Sequence, residues 1–292
     1  MKMHDGQIDI DVALVERLVA GQFPELAALP IRPVRSTGTV NALYRLGQDL
    51  CVRLPLLDQW TESLQRELRW LPRLAPHLTL RIPEPIAEGE PDGSYPYPWA
   101  IFRWIEGRPY ADELIDDEEQ AALDLAQFVN ELRSVGRDDD APVGGRPPLK
   151  VLDPWTRAAI EAAADLVDGP AVLAEWERSL AAPPWDGAAV WVHADLLRPN
   201  LLADRGRLRS VIDFGGVGRG DPAADVIAAW SVFGTAGRRA FRSALAVDDG
   251  TWARARGFAL HQAALVIPYY RATNPGFVAL ARRTVDGILA DR

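Results

Sequence analysis

One cysteine, Cys51, serves the whole chain of 292 residues. A single cysteine excludes an intramolecular disulfide and a cysteine-based zinc site. Within "LCVRLP" it reads as a small buried hydrophobe. Lysine is almost as scarce. Lys2 and Lys150 are the only two, so arginine supplies nearly all the positive charge. No cluster of basic residues appears and the net charge is −9, which argues against nucleic acid as a partner. No apolar run approaches the roughly 18–20 residues that span a membrane. The start, "MKMHDGQIDIDVALVERL", carries acids where a secretory signal has its apolar stretch. The expectation is a cytoplasmic protein with no nucleic-acid or membrane partner.

What is present reads as an ordinary globular chain, with 48% apolar and 25% charged residues. Its length suits two lobes better than one core. Residues 10–20 read as a short amphipathic helix. "IRPVRSTGTVNALYRLG" alternates around a turn, as a hairpin does, and "LCVRLP" follows as a third strand. "DQWTESLQRELRWLPRLAP" has Leu64, Leu68 and Leu71 at helical spacing. "IPEPIAEG" and "YPWAIFRWIEG" read as two more strands. After Gly107 the pattern turns helical, beginning with "DDEEQAALDLAQFVNELRSV". Short apolar runs broken by Asp and Gly follow at 188–226, and the remainder is helical. The fold class is α+β, with a small β-rich lobe over 1–104 and a larger, mainly helical lobe over 105–292. The charge divides unevenly, with net −2 in the first segment and −7 in the second. That asymmetry suits solubility and also attraction of a cationic substrate.

The chemistry lies in two stretches. "WVHADLLRPNLL" sets His193, Asp195 and Asn200 between apolar flanks, and "VIDFGG" ends a strand in Asp213. The pair at this spacing is specific where either alone would be weak. Together with "GDPAAD" at 220–225, it resembles the aminoglycoside phosphotransferase family, the small-molecule branch of the protein-kinase-like fold. The resemblance runs from about residue 30 to 290.

That resemblance implies a Mg²⁺-dependent transfer of the γ-phosphoryl of ATP, or of GTP, to a small-molecule hydroxyl. Asp195 would orient the hydroxyl and take its proton. Asn200 and Asp213 would hold the metal with oxygen ligands. His193 and Asp225 would support the loop, the His ring by bonding backbone near the metal-binding loop. Asp221 reads as a turn or cap. Gly38, in "STGTVNALY", would sit in the phosphate-covering loop. Backbone groups of Arg103, Trp104 and Ile105 would receive the adenine. Arg53 stands where the family has a Lys. Glu67 is its expected partner and Glu62 the second candidate. Arg53 is open to two readings, a working substitute or a weakened nucleotide site. Arg198 likewise reads either as a supply of positive charge or as a surface residue.

The acceptor is the least legible part. An aminoglycoside-like antibiotic is the leading expectation. The acids at 112, 113 and 116–119 would flank a cation or simply solvate a helix start. Tyr269 and Tyr270 are expected in buried packing rather than in an acceptor pocket. The alternatives are a housekeeping kinase of sugars or amino alcohols, and a nucleotide-binding pseudokinase.

Overall fold

The computed structural model describes residues 7–34 and 40–291. Contacts divide the chain into two compact units. One comprises Met1–Pro76, Arg81–Gly107 and Ser210–Gly215; the other comprises His77–Leu80, Arg108–Arg209 and Gly216–Arg292.

In the first unit, α1 (Val12–Gln22) starts at Asp11, whose carboxylate accepts the Leu14 N–H at 2.7 Å. That bond satisfies one of the donors a helix start leaves open. Strands β1 (Ile31–Pro33), β2 (Asn41–Leu46), β3 (Leu50–Pro55), β4 (Pro85–Gly89) and β5 (Trp99–Arg103) form an antiparallel sheet in the order β1-β2-β3-β5-β4. Leu14, Val15, Leu18 and Val19 of α1 bury with Tyr44, Leu46, Val52, Leu54, Trp99 and Ile101 of the strands. The period of a helix and the alternation of strands thus supply one apolar core. In β3 the alternation sends Val52 and Leu54 into it and turns Cys51 and Arg53 to the other face. Arg53 lies between Leu43 of β2 and Ala100 of β5. Helix α2 (Thr61–Leu74) buries Leu64, Leu71 and Leu74 with Glu67 among them. Burial pushes the Cys51 thiol up to about 11, so the reading of it as a buried hydrophobe holds.

The second unit contains β6 (Arg108–Pro109), α3 (Glu118–Ser134), α4 (Leu149–Ala162) and α5 (Gly169–Leu180). The strands β7 (Val190–Val192), β8 (Leu201–Asp204), β9 (Arg207–Val211) and β10 (Gly218–Gly220) follow, and the tail of β9 enters the first unit. The chain ends in α6 (Ala223–Val226), α7 (Ala228–Ser231), α8 (Thr235–Leu245), α9 (Asp249–Tyr270) and α10 (Pro275–Ala290). Trp176, Trp230, Phe128, Phe241 and Phe258 are fully buried, and large aromatic surfaces of this kind dominate core energetics.

Helix α9 is the axis of this unit and runs alongside α4 in the same direction. Leu149 meets Gly257, the Thr156 hydroxyl meets His261 Nδ1 at 2.8 Å, and Asp165 pairs with Arg271. A Cβ at Gly257 would come within 2.8 Å of Leu149 and 2.9 Å of Ser179. Only glycine permits this approach of α9 to α4 and α5.

The acidic stretch after residue 111 is largely occupied with building this unit. Asp117 caps α3 through the Gln120 N–H, Glu118 accepts the Gly234 and Gly237 N–H groups at the start of α8, and Asp112 pairs with Arg198. Among the described residues, no helix is long and apolar enough to cross a membrane.

Candidate active site

The apolar flanks of "WVHADLLRPNLL" are anchors. Trp191 and Val192 end β7, Leu201 and Leu202 begin β8, and all four are buried. Between them the backbone is bent. Ala194 has φ of 74°, a left-handed conformation that costs a residue with a side chain on the order of 1 kcal/mol or more. Asp225, fully buried at the start of α6, holds this bend. Its Oδ2 accepts the His193 N–H at 2.9 Å and its Oδ1 the Ala194 N–H at 2.7 Å. The Ala194 carbonyl accepts from Arg146 at 2.9 Å. His193 is buried, and its Nδ1 accepts the Asp195 N–H at 3.2 Å. Nδ1 is therefore unprotonated there, and the ring braces its own loop.

Asp195 emerges with both carboxylate oxygens engaged. Asn200 Nδ2 donates to Oδ2 at 2.8 Å and to the Asp195 carbonyl at 2.9 Å. Gln262 of α9 donates from Nε2 to Oδ1 at 2.7 Å. With its nitrogen spent on Asp195, the Asn200 amide turns its oxygen away, and a hard cation needs such an oxygen.

Arg146 brings a cation to the same place. Burial holds its pKa below the ordinary value, while the charges of Asp195 and Asp225 oppose that shift. Its loop fits because Gly218 of β10 has no side chain: a Cβ there would lie 2.6 Å from Gly144 N. Sequence reading passed over Arg146 and Gln262. The first lies in a Gly/Pro-rich loop and the second in an apolar helix, and neither belongs to a local motif.

Arg198 meets neither expectation held for it. It is buried, with Nε donating to the Val232 carbonyl at 3.0 Å and a terminal nitrogen on Asp112 at 2.5 Å. Its charge is consumed in holding α7 to the loop. Asp221 accepts the Ala223 N–H at 2.9 Å, as a turn residue does, and also pairs with Arg254 at 2.7 Å.

In the first unit, Arg53 Nη1 meets Glu67 Oε2 at 2.5 Å. The other oxygen of Glu67 accepts the Phe214 N–H at 2.6 Å. One carboxylate thus joins β3 to the residue after Asp213, which itself has φ of 67°. Burial, joined by the like charge of Asp213, pushes the Glu67 carboxyl above its ordinary value, against Arg53 and the Phe214 N–H. Burial works against the Arg53 charge, and Glu67 and Asp213 more than restore it. Glu62 takes no part and pairs with Arg66 on the surface.

Gly38 lies outside the described residues. At 103–105 the structure narrows the expectation. The Arg103 N–H donates to Glu84 O and the Trp104 N–H to Asp49 O, so both donors are already used. Among the described residues the Ile105 N–H donates to no backbone carbonyl. The Arg103 side chain pairs with Glu84.

Tyr269 departs from the packing expected of it, being 63% exposed. Val151, Trp155 and Leu265 are exposed as well. Asp153 and Arg157 of α4 and Arg256 of α9 face α5, through Trp176, Glu177 and Glu175. By helical periodicity Trp155 and Val151 occupy the opposite flank of α4. Gln262, Leu265 and Tyr269 occupy the matching flank of α9. The exposed apolar strip therefore lies on the side of these helices that carries the contact to Asp195.

Comparison with known proteins identifies the family and the fold. The model of the phosphotransferase enzyme family matches residues 31–258. Viomycin phosphotransferase of Streptomyces vinaceus is 32% identical over 167 residues, which cover 54% of this chain and 58% of that protein. The chain thus aligns with little more than half the length of that relative. The GDP complex of aminoglycoside 2'-phosphotransferase-IIIa superposes with a TM-score of 0.71 at 18% identity, covering 97% of this chain and 99% of that one. Macrolide 2'-phosphotransferase from Brachybacterium faecium does so with 0.60 at 23%, covering 97% and 99%. With a protein-kinase-like α+β fold and a family match over most of its length, the chain belongs to the phosphotransferase enzyme family.

Proposed function

We propose that the protein transfers the γ-phosphoryl of ATP or GTP to a hydroxyl of an antibiotic-like small molecule. The observation that carries the proposal is the Asp195 carboxylate, aimed by Asn200 and Gln262 on a loop that Asp225 holds in a strained bend. Strain of this kind persists where function requires the geometry. In this reading the first unit binds nucleotide. Arg53, kept charged by Glu67, faces its phosphates, and the Ile105 N–H and neighbouring carbonyls receive the base. Arg53 is then a working substitute for Lys, since its pair with Glu67 is intact.

Asp195 accepts the proton of the acceptor hydroxyl as that oxygen bonds to the γ-phosphorus. The bond from phosphorus to the bridging oxygen breaks, and the nucleoside diphosphate leaves with that electron pair. Because a carboxylate is a weak base at neutral pH, positioning contributes more than basicity. Asn200, through Oδ1, and Asp213 would hold Mg²⁺, which supplies neutralisation of the phosphate oxygens when bound. One or two protein ligands suffice for Mg²⁺, because phosphates and water complete its shell.

Two acceptor chemistries have support. The names of the aminoglycoside and viomycin relatives, with the net charge of −7 over 105–292, favour a cationic acceptor. The internal use of Asp112, Asp117 and Glu118 weakens that reading. The exposed strip of Val151, Trp155, Leu265 and Tyr269 favours an acceptor with an extended apolar face, as does the macrolide enzyme among the relatives.

The test is release of nucleoside diphosphate from Mg-ATP and Mg-GTP with aminoglycosides, viomycin, macrolides, amino alcohols and sugars. Asp195→Asn serves as the blank and is expected to lose on the order of 10²–10⁴-fold in turnover while still binding nucleotide. Wild-type turnover in that variant would remove Asp195 from the mechanism. Nucleotide binding without turnover on any acceptor would favour the pseudokinase.

A further inference from the structure

Gln262 stands out on α9 because nothing about packing asks for it. The other α9 residues around the small cavity behind the catalytic loop are Ala259, Ala263 and Val266. A carboxylate only accepts hydrogen bonds, so the Gln262 amide must turn its nitrogen to Asp195 and its oxygen away. That oxygen is buried and has no hydrogen-bond partner among the described residues. An unpaired buried carbonyl destabilises a fold, and an apolar side chain of the same length would remove the cost. The arrangement is unfavourable for stability and specific for one contact, 2.7 Å to Oδ1 of Asp195.

The contact also closes a clamp. Asn200 holds Oδ2 from five residues away, inside the same loop segment, whereas Gln262 comes from 67 residues away on the long helix α9. Helix α9 packs on α4, α5, α6 and α10, so its side chain refers the carboxylate to a rigid frame. With only the Asn200 bond, Oδ2 alone is fixed and the carboxylate is free to turn about it. With both, each oxygen is fixed.

We propose that Gln262 is a positioning residue, which sacrifices its own amide oxygen to fix the Asp195 carboxylate against α9. The inference rests on Asp195 being the base that receives the acceptor proton.

The test uses the full chain with Gln262→Met, which keeps the length of the side chain and removes the amide. The melting temperature is expected to stay level or rise. In its crystal structure the Asp195 carboxylate is expected to leave its position or to occupy more than one. With the acceptor found in the panel, kcat is expected to fall roughly 10–100-fold, as small misplacements of a reacting group do. KM for nucleotide and acceptor should stay within about twofold, because an interaction that only aims the base affects the chemical step. In an Asp195→Asn background the same change should cost nothing further. Gln262→Asn, with its amide drawn back by one methylene, should lose kcat in the same way.

An Asp195 carboxylate that stays in place in the Gln262→Met crystal would overturn the proposal, with or without an acceptor in hand. So would a lowered melting temperature with unchanged kcat, or an equal loss in the Asp195→Asn background. Wild-type turnover of Asp195→Asn alone would instead overturn the assignment of the base.

Discussion

Glu67 in the first unit and Asp225 in the second are both fully buried carboxylates that fix a loop by accepting backbone N–H groups. They differ in what balances their charge. Glu67 gives one oxygen to the Phe214 N–H and the other to the guanidinium of Arg53 at 2.5 Å. Asp225 gives both oxygens to successive N–H groups of its loop, with Arg133 and Arg146 contributing only through their field. The first arrangement is a pair of side chains, and a pair can be exchanged as a pair. The second is a match between one carboxylate and one backbone shape, so no second substitution can compensate its loss. The comparison shows that the Arg53–Glu67 contact could be replaced as a unit, whereas the fit of Asp225 to the His193 and Ala194 N–H groups could not.

The sharpest way to break the comparison is to strip the charge partner in the first unit. Arg53→Ala leaves Glu67 buried and unpaired, a change that costs about 3–5 kcal/mol in such settings. Denaturant unfolding should register that loss, and titration with Mg-nucleotide should show weaker binding. Adding Glu67→Gln should return much of the stability and none of the nucleotide affinity. Unchanged affinity in Arg53→Ala would mean that β3 does not face the phosphates.

Asp225→Ala should come next in size. It leaves two buried N–H groups without acceptors, at about 1–3 kcal/mol each before relaxation, and releases the strained Ala194. Calorimetry on the full chain should show a lower melting temperature. Asp225→Asn should recover only part of it, because an amide offers one oxygen to two donors. Full recovery with Asn would show that the two units are held alike after all.

The smallest effect concerns pH and belongs to the second unit alone. Burial, then the nearby charge of Arg146, holds the His261 pKa down at about 4. An unfolded histidine titrates near 6.5, so the unfolded chain binds the proton first. Stability from neutral His261 is therefore present above about pH 6.5. It falls as pH drops towards 4, by about 3 kcal/mol at most. His261→Gln should flatten that part of the stability profile between pH 7 and pH 4. A slope equal to the parent's would assign the acid sensitivity to other groups.

Much of this was legible in the chain itself. Apolar alternation in "LCVRLP" and the Leu64, Leu68, Leu71 spacing located β3 and α2, because burial must follow the period of the backbone. The spacing of His193, Asp195 and Asn200, with "IDFG" and "GDPAAD", was enough for the family, and Asp225 lies where the resemblance put the loop's support. Other features were not legible. Arg198 reads either as a charge near the chemistry or as a surface residue, yet it is buried, and Asp112, 86 residues earlier, and the Val232 carbonyl consume its donors. Tyr269 sits in an apolar helix and still faces outward.

The sequence by itself determined the fold class, the periodic elements and the polar residues that share a local motif with Asp195, since these rest on local spacing and on side-chain chemistry. Only the tertiary structure decided which charges are spent and which are available. It turned Glu118 into a cap for α8, gave Arg53 its partner, brought Arg146 to the Ala194 carbonyl and set Gln262 on Asp195. The physical reason is that a charge or an amide takes its role from the groups that desolvate and satisfy it. Those groups come from distant parts of the chain that no local pattern connects.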